Sequence, residues 1–256
     1  MKTSTQLAAI CLLGLTLSAQ AGVTIVQSWQ QLDGKTQAMG NTIHVDKDRI
    51  RVVNGSTPDQ QFIYRGDKKL LWIVNLKEKA YMEMTEKDFT EMFSKRDEAM
   101  KKMKEQMAQM PPEQRKMMED MMAKMSAGGA VGADAPKTEF KNTGSGGKVN
   151  GWSTVKYEAI REGGKKSDIW VSDYKTLGIS ESEVHVFKDL AKYFEKIAPT
   201  SEWQISDKGM PVKSLTYKDG KPEFQMEVKE IKKESQPASL FEVPAGMTQK
   251  KMGKAG

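Results

Sequence analysis

Nine of the chain's 18 methionines fall between Met100 and Met125. A thioether offers three kinds of chemistry. It is a soft ligand suited to Cu(I), a flexible polarizable hydrophobe that lets an apolar surface adapt, and a target of reversible oxidation. Met100-x-x-Met103, Met103-x-x-x-Met107 and Met107-x-x-Met110 each set two sulfurs on one helical face, as do Met118 with Met121 and Met118 with Met122. Any buried helical stripe has the same spacing, and neither His nor Cys accompanies the sulfurs. Met100, Met103, Met107 and Met110 are the candidate metal set of a copper(I)-binding reading. The competing reading is an adaptable apolar surface. Sacrificial oxidation needs exposure, against which the amphipathic pattern argues.

Other chemistry is sparse. His44 and His185 are the two histidines. His44 shares a strand face with Thr42 and Asp46, and His185 lies off the apolar stripe of a helix, so both read as surface residues. No nucleophile elbow, phosphate loop or zinc spacing occurs. A non-enzymatic protein without a cofactor is expected.

The sequence opens MKTSTQLAAICLLGLTLSAQAG. Lys2, the apolar run Leu7 to Leu17 and Ala19-Gln20-Ala21 compose a secretory signal peptide cut after Ala21. Eleven apolar residues fall short of the ~20 needed to span a bilayer. The one cysteine, Cys11, lies in this segment, so the mature chain would have neither disulfides nor thiolate sites. Removing Lys2 leaves 39 basic and 34 acidic side chains, an excess of +5. The charges are interspersed, which gives no case for nucleic acid. Lys250, Lys251 and Lys254 make a basic tail. It reads first as a frayed terminus, and otherwise as a transient contact with a membrane surface. A periplasmic monomer is expected.

Residues 23 to 84 read as six short antiparallel strands, with turns at Asp33-Gly34, Arg65-Gly66-Asp67 and after Asn75. Thr85 and Asp88 form a capping box that starts a helix of about 25 residues. Pro111-Pro112 stops it and starts a second helix, giving a methionine-rich hairpin. Ser126 to Pro136 is a flexible linker by composition. Strands resume at Thr138 to Lys141, Gly151 to Arg161 and Ser167 to Ser172, with Gly144 to Gly147 as a loop. Ser180 to Glu183 caps a helix whose stripe is Val184, Phe187, Ala191, Phe194 and Ile197. A final hairpin runs from Val212 to Ile231 about Asp219-Gly220. Leu240, Phe241, Val243 and Pro244 are expected to tuck against the sheet.

The organisation is therefore a signal peptide (1–21), one domain (22–249) and a basic disordered tail (250–256). Within the domain lie a helical-hairpin insertion (85–125) and a linker (126–137). The expected lining of an apolar binding surface is Phe62, Trp72, Met82 and Met84 from the strands, with Trp170. From the hairpin come Met100, Met103, Met107, Met110, Met118, Met121 and Met122.

The segments LLWIVNLKEKAYMEM, MPPEQRKMMEDMM, GWSTVKYEAI…SDIWVSDYKTLGI and LFEVPAGM resemble the DUF4412 family, which is similar to lipoprotein carriers of the LolA/LolB type. The family pattern carries a cysteine before the tyrosine of the third segment, whereas Gly151 to Tyr157 has none. The resemblance implies an α+β fold: a curved antiparallel sheet, an open half-barrel, with the methionine-rich hairpin and one further helix on its concave side. It also implies binding of an apolar ligand, either a lipid acyl chain or a hydrophobic segment of an envelope protein. A purely structural envelope role is the remaining reading.

Overall fold

The computed structural model describes residues 21–111, 113–115, 117, 138–195, 205 and 207–251. Its frame is one 12-stranded sheet, curved and unclosed, the half-barrel that the resemblance implies. Six strands form a meander: β1 (Ala21–Gln31), β2 (Met39–Asp46), β3 (Arg49–Asn54), β4 (Gln60–Arg65), β5 (Leu70–Asn75) and β6 (Ala80–Thr85). Helix α1 (Glu86–Ala108) follows. Then come β7 (Glu139–Val149), β8 (Trp152–Arg161) and β9 (Gly164–Ser172), helix α2 (His185–Glu195), and the hairpin β10 (Met210–Lys218) and β11 (Lys221–Ser235). β11 pairs with β1 in antiparallel register from Ala21–Ser235 to Gln31–Phe224, joining the two halves of the sheet. A short β12 (Thr248–Gln249) pairs in parallel with β6.

Alternation sorts the meander into two apolar faces. On the helix side lie Val23, Ile25, Ile43, Val45, Ile50, Tyr64, Leu71 and Met84, covered by Phe89 of α1 and by Val184, Val186 and Phe187 at α2. On the other side Ile63, Trp72 and Val74 lie under Phe241, Leu240 and Val243. Three arginines hold this C-terminal strap. Arg51 Nη1 donates to Leu240 O at 2.8 Å, Arg65 pairs with Glu242, and the Arg49 guanidinium stacks 4.9 Å from the Phe241 ring centre. Arg65 also grips Asp67 through Nε and Nη2, at 2.8 and 2.7 Å. This two-point hydrogen bond holds the Asp67 carboxyl below its ordinary range.

The local signals act as sequence chemistry predicts. Thr85 Oγ1 accepts from the Asp88 amide at 3.2 Å while Asp88 Oδ2 accepts from the Thr85 amide at 2.8 Å. That reciprocal box satisfies orphan donors at the start of α1. Asp219 and Gly220 sit at φ 51° and 74°, the tight turn of the last hairpin.

Several expectations need correction. Gly144 to Gly147 is not a loop. β7 runs through it with two register shifts, where Gly144 and Gly147 take φ of 101° and 72°. Bulges let glycines sit inside a strand and blunt an edge. Asp33-Gly34 begins a longer loop between β1 and β2, in which Asp33 Oδ1 accepts from the amides of Lys35 and Thr36. Strand β12 has no alternation to announce it. The Lys250 amide still donates to Tyr81 O at 2.8 Å, so ladder bonding reaches one residue into the expected tail. The proposed signal peptide, the second hairpin helix beyond its first residues, and the linker lie outside the described residues.

Phe241 is fully buried. Replacing it with Ala should cost about 3–5 kcal/mol, the usual penalty for emptying a phenylalanine site. Urea unfolding of F241A measures this, and a loss below about 1 kcal/mol would contradict the strap's place in the core.

Candidate functional site

Register across the meander defines two neighbouring rows on the helix side. Val23, Val45, Ile50, Tyr64, Leu71 and Met84 form the first row, and each is buried. The second row, two residues along every strand, is Ile25, Ile43, Val52, Phe62, Ile73 and Met82. It starts buried at β1 and opens towards β4, where Phe62 is 39% exposed. Farther in the same direction, Trp29 pairs with Met39 on β2 and with Met226 on β11. Trp29 and Met39 are 38% and 40% exposed. Phe224, two residues from Met226, is 39% exposed. The helices thus seal one row and leave the next partly uncovered. Six strands at about 4.8 Å spacing make that row ~24 Å long.

The expected lining residues divide accordingly. Phe62, Met82 and Met84 share the helix side, Met84 in the sealed row and the other two in the open one. Trp72 does not belong with them. It is one residue out of phase, buried on the opposite face beside Phe241, with Nε1 donating to Glu83 Oε2 at 2.9 Å. A continuous apolar run such as Leu70 to Val74 supplies both faces, so its composition could not say which side Trp72 takes. Trp170 is half-buried against the main core, with Lys156 and Lys213 Nζ 5.0 and 5.1 Å from its ring.

Helix α1 meets the sheet through Phe89 near its start, beside β6. Its methionine stripe is farther out. Met107 is buried, and Met100, Met103 and Met110 are half-buried, but none joins a core cluster of the sheet. Arg115 Nε donates to Met107 O at 3.2 Å, folding the chain back on the helix end. Among the described residues, the stripe therefore takes no part in the sheet's core clusters. Met118, Met121 and Met122 lie outside the described residues. Exposed Trp29 and Met39 were not among the expected lining residues, although both flank the Asp33-Gly34 turn signal, near the ends of β1 and β2.

A second feature is polar. The turn between β2 and β3 and helix α2 flank a cleft of about 480 Å³, lined by Asp48, Tyr64, Gly66, Asp67, Lys69, Glu86, Asp189 and Lys192. Gly66 permits the close approach there. Its amide donates to Asp48 O at 2.7 Å, and a Cβ would come within 2.9 Å of that oxygen. Burial pushes the Tyr64 phenol up, reinforced by Asp189, Glu86 and Asp48, so the cleft carries a negative field. At its margin His185 Nδ1 donates to Ser182 O at 2.8 Å, and Nε2 stands 2.7 Å from Asp48 Oδ1.

Neither histidine is therefore a free surface group. The Ser182 carbonyl and then the Asp48 carboxylate hold the imidazolium of His185, raising its pKa. Burial, with the nearby Arg51 charge, lowers that of His44, which meets Thr24 Oγ1 at 3.2 Å.

The chain belongs to the family described as "Domain of unknown function (DUF4412)", whose model matches residues 90–247. No curated protein matches the sequence. Among solved structures it is similar to Pseudomonas aeruginosa MucB in complex with MucA (10% identity, TM-score 0.42, covering 90% of this chain and 58% of that one). It is also similar to PNGF-II (12%, 0.41, 91% and 31%). A third is a DUF1329 family protein from Desulfovibrio piger (9%, 0.30, 88% and 90%). The chain spans less than two thirds of the first two. No described helix is long and apolar enough to cross a membrane.

The two imidazoles should titrate on opposite sides of the ordinary histidine value near 6.5. His185 contributes stability that is full below that value and is lost as pH rises through its raised pKa. His44 contributes stability that is present above it and is lost as pH falls through its lowered pKa. An NMR titration of the ring protons checks both, and coincident midpoints would contradict the two environments.

Proposed function

We propose that the protein is a non-catalytic periplasmic binder of an apolar ligand, a lipid acyl chain or a hydrophobic segment of an envelope protein. The supporting observation is the half-open row at Phe62, with Trp29, Met39 and Phe224 exposed beyond it on the face that elsewhere forms the core. Large apolar side chains scattered singly are ordinary on a surface. Here they share one face beside an incomplete helical cover, with the polar row of Gln27, Asn41 and Asn54 between Phe62 and the Trp29–Met39 pair, an arrangement that suits a bound chain. Periplasmic export is the reading of Lys2, the Leu7 to Leu17 run and Ala19-Gln20-Ala21.

The energetics favour a long apolar guest. Covering the exposed portions of Phe62, Trp29 and Met39 is worth roughly 1 kcal/mol each. Each ligand methylene taken from water adds about 0.8 kcal/mol. Ordering and association costs then set the net affinity, so short or polar guests should bind poorly.

The test is native mass spectrometry of the purified protein, followed by titration with a fluorescent acyl probe. Uptake of one acyl chain is expected. F62D should weaken it by roughly a hundredfold, because an unpaired carboxylate against hydrocarbon costs several kcal/mol. Trp72→Phe, on the opposite face, should leave affinity unchanged. Absence of co-purified lipid together with failure to take up acyl or hydrophobic peptide probes would contradict the reading.

A further inference from the structure

The polar cleft is separate from the apolar row and has a chemistry of its own. Asp48 comes from the turn between β2 and β3, while His185 and Asp189 come from α2. The i,i+4 spacing places His185 and Asp189 on one face of that helix. One ligand-capable atom from each of the three residues lies within 4.8 Å of the others. Asp48 and Asp189 also line the 480 Å³ cleft, which leaves space for water or a small ligand beside them.

The decisive detail is the orientation of the imidazole. Ser182 O is an acceptor, so His185 Nδ1 must carry its hydrogen towards it. Nε2 is left aimed at a carboxylate oxygen 2.7 Å away. Two lone pairs cannot face each other at that distance. A proton between Nε2 and the carboxylate satisfies that distance, and a metal cation would take the proton's place with the two ligand atoms moving to about 3.3 Å apart. Metal-ligating histidines characteristically donate their other ring N–H to a backbone carbonyl, which fixes the ring as Ser182 does here.

We propose that Asp48, His185 and Asp189 bind a divalent transition-metal ion of the zinc class between the β2–β3 turn and α2. One imidazole nitrogen and two carboxylates are a donor set suited to such ions. Ligands of one tetrahedral Zn²⁺ lie about 3.3 to 3.6 Å apart. The exposed Asp189 carboxylate, 3.8 Å from Lys192 Nζ, therefore needs to leave that lysine and swing inward by roughly 1 Å. The cleft side provides the open coordination position. Lys69 and Lys192 oppose the acidic field of Asp48, Asp67, Glu86 and Asp189, leaving the lining with an excess of two carboxylates. Bound metal would join a turn of the sheet to the helix covering the core. The site uses no methionine and stands independently of apolar-ligand binding.

With only two histidines in the chain, NMR reads this site directly. Chelator-treated protein is titrated with ZnCl₂, and separately with MnCl₂ as a paramagnetic probe. The expected result is a shift of the His185 ring signals that saturates at one equivalent of Zn²⁺, and their selective broadening by Mn²⁺. His44 should be unaffected. H185Q and D189N should each weaken Zn²⁺ binding by more than about tenfold. D189N leaves the Asp48–His185 contact intact and decides the matter should H185Q fold poorly. Unmoved His185 signals under excess Zn²⁺, or wild-type affinity in D189N, would overturn the proposal and leave an ion pair alone.

Discussion

A single sheet apolar on both faces must find cover for each, and among the described residues few elements supply it. The main core takes α2 and the first turns of α1 on one side. The second core takes the strap around Phe241 on the other. At about 25 cal/mol per Å² of apolar surface removed from water, every uncovered side chain forgoes stabilisation that its neighbours receive. The cover stops one row short. Tyr64, 6% exposed, and Phe62, 39% exposed, are two residues apart on the same strand and face. The distinction between core and candidate binding surface rests on that boundary.

The strap and the cleft show how charge completes what short elements cannot. Arg49, Arg51 and Arg65 alternate with core residues on the meander and place guanidinium groups against the C-terminal segment. Arginine suits this task because its planar donors serve carboxylate, carbonyl and aromatic face at once. A comparable cluster occurs in the other half, where Asp168, 3% exposed, accepts from Tyr217 Oη at 2.8 Å and lies 3.1 Å from Lys156 Nζ. Breaking such a cluster strands a buried charge, which is why its members act together.

The meander was legible because alternation and turn chemistry agree along it. The capping box at Thr85 and the turn at Asp219-Gly220 were legible for the same reason. Beyond that, local pattern stops carrying information. The phase of Trp72 depends on which face of a continuous apolar run the strap covers. The strand through Gly144 and Gly147 depends on pairing with β8, which overrides the loop-forming preference of its glycines. Asp48 and His185 are 137 residues apart, so no spacing could join them. The methionine stripe was visible as a helical face, but sequence could not reveal that, among the described residues of α1, Phe89 is the one that joins the sheet's core. The adaptable surface expected of the methionines is therefore matched more closely by Phe62, Trp29 and Met39.

The central claim is that an apolar ligand would lie along the open row of the sheet. Isotope-filtered NMR of the labelled protein with an unlabelled acyl chain tests it most directly. The expected result is contacts from ligand methylene protons to the ring of Phe62 and to the side chains of Val52, Ile73 and Met82 in the same row. Contacts confined to the methionines of α1, or an absence of contacts at saturating ligand, would contradict it.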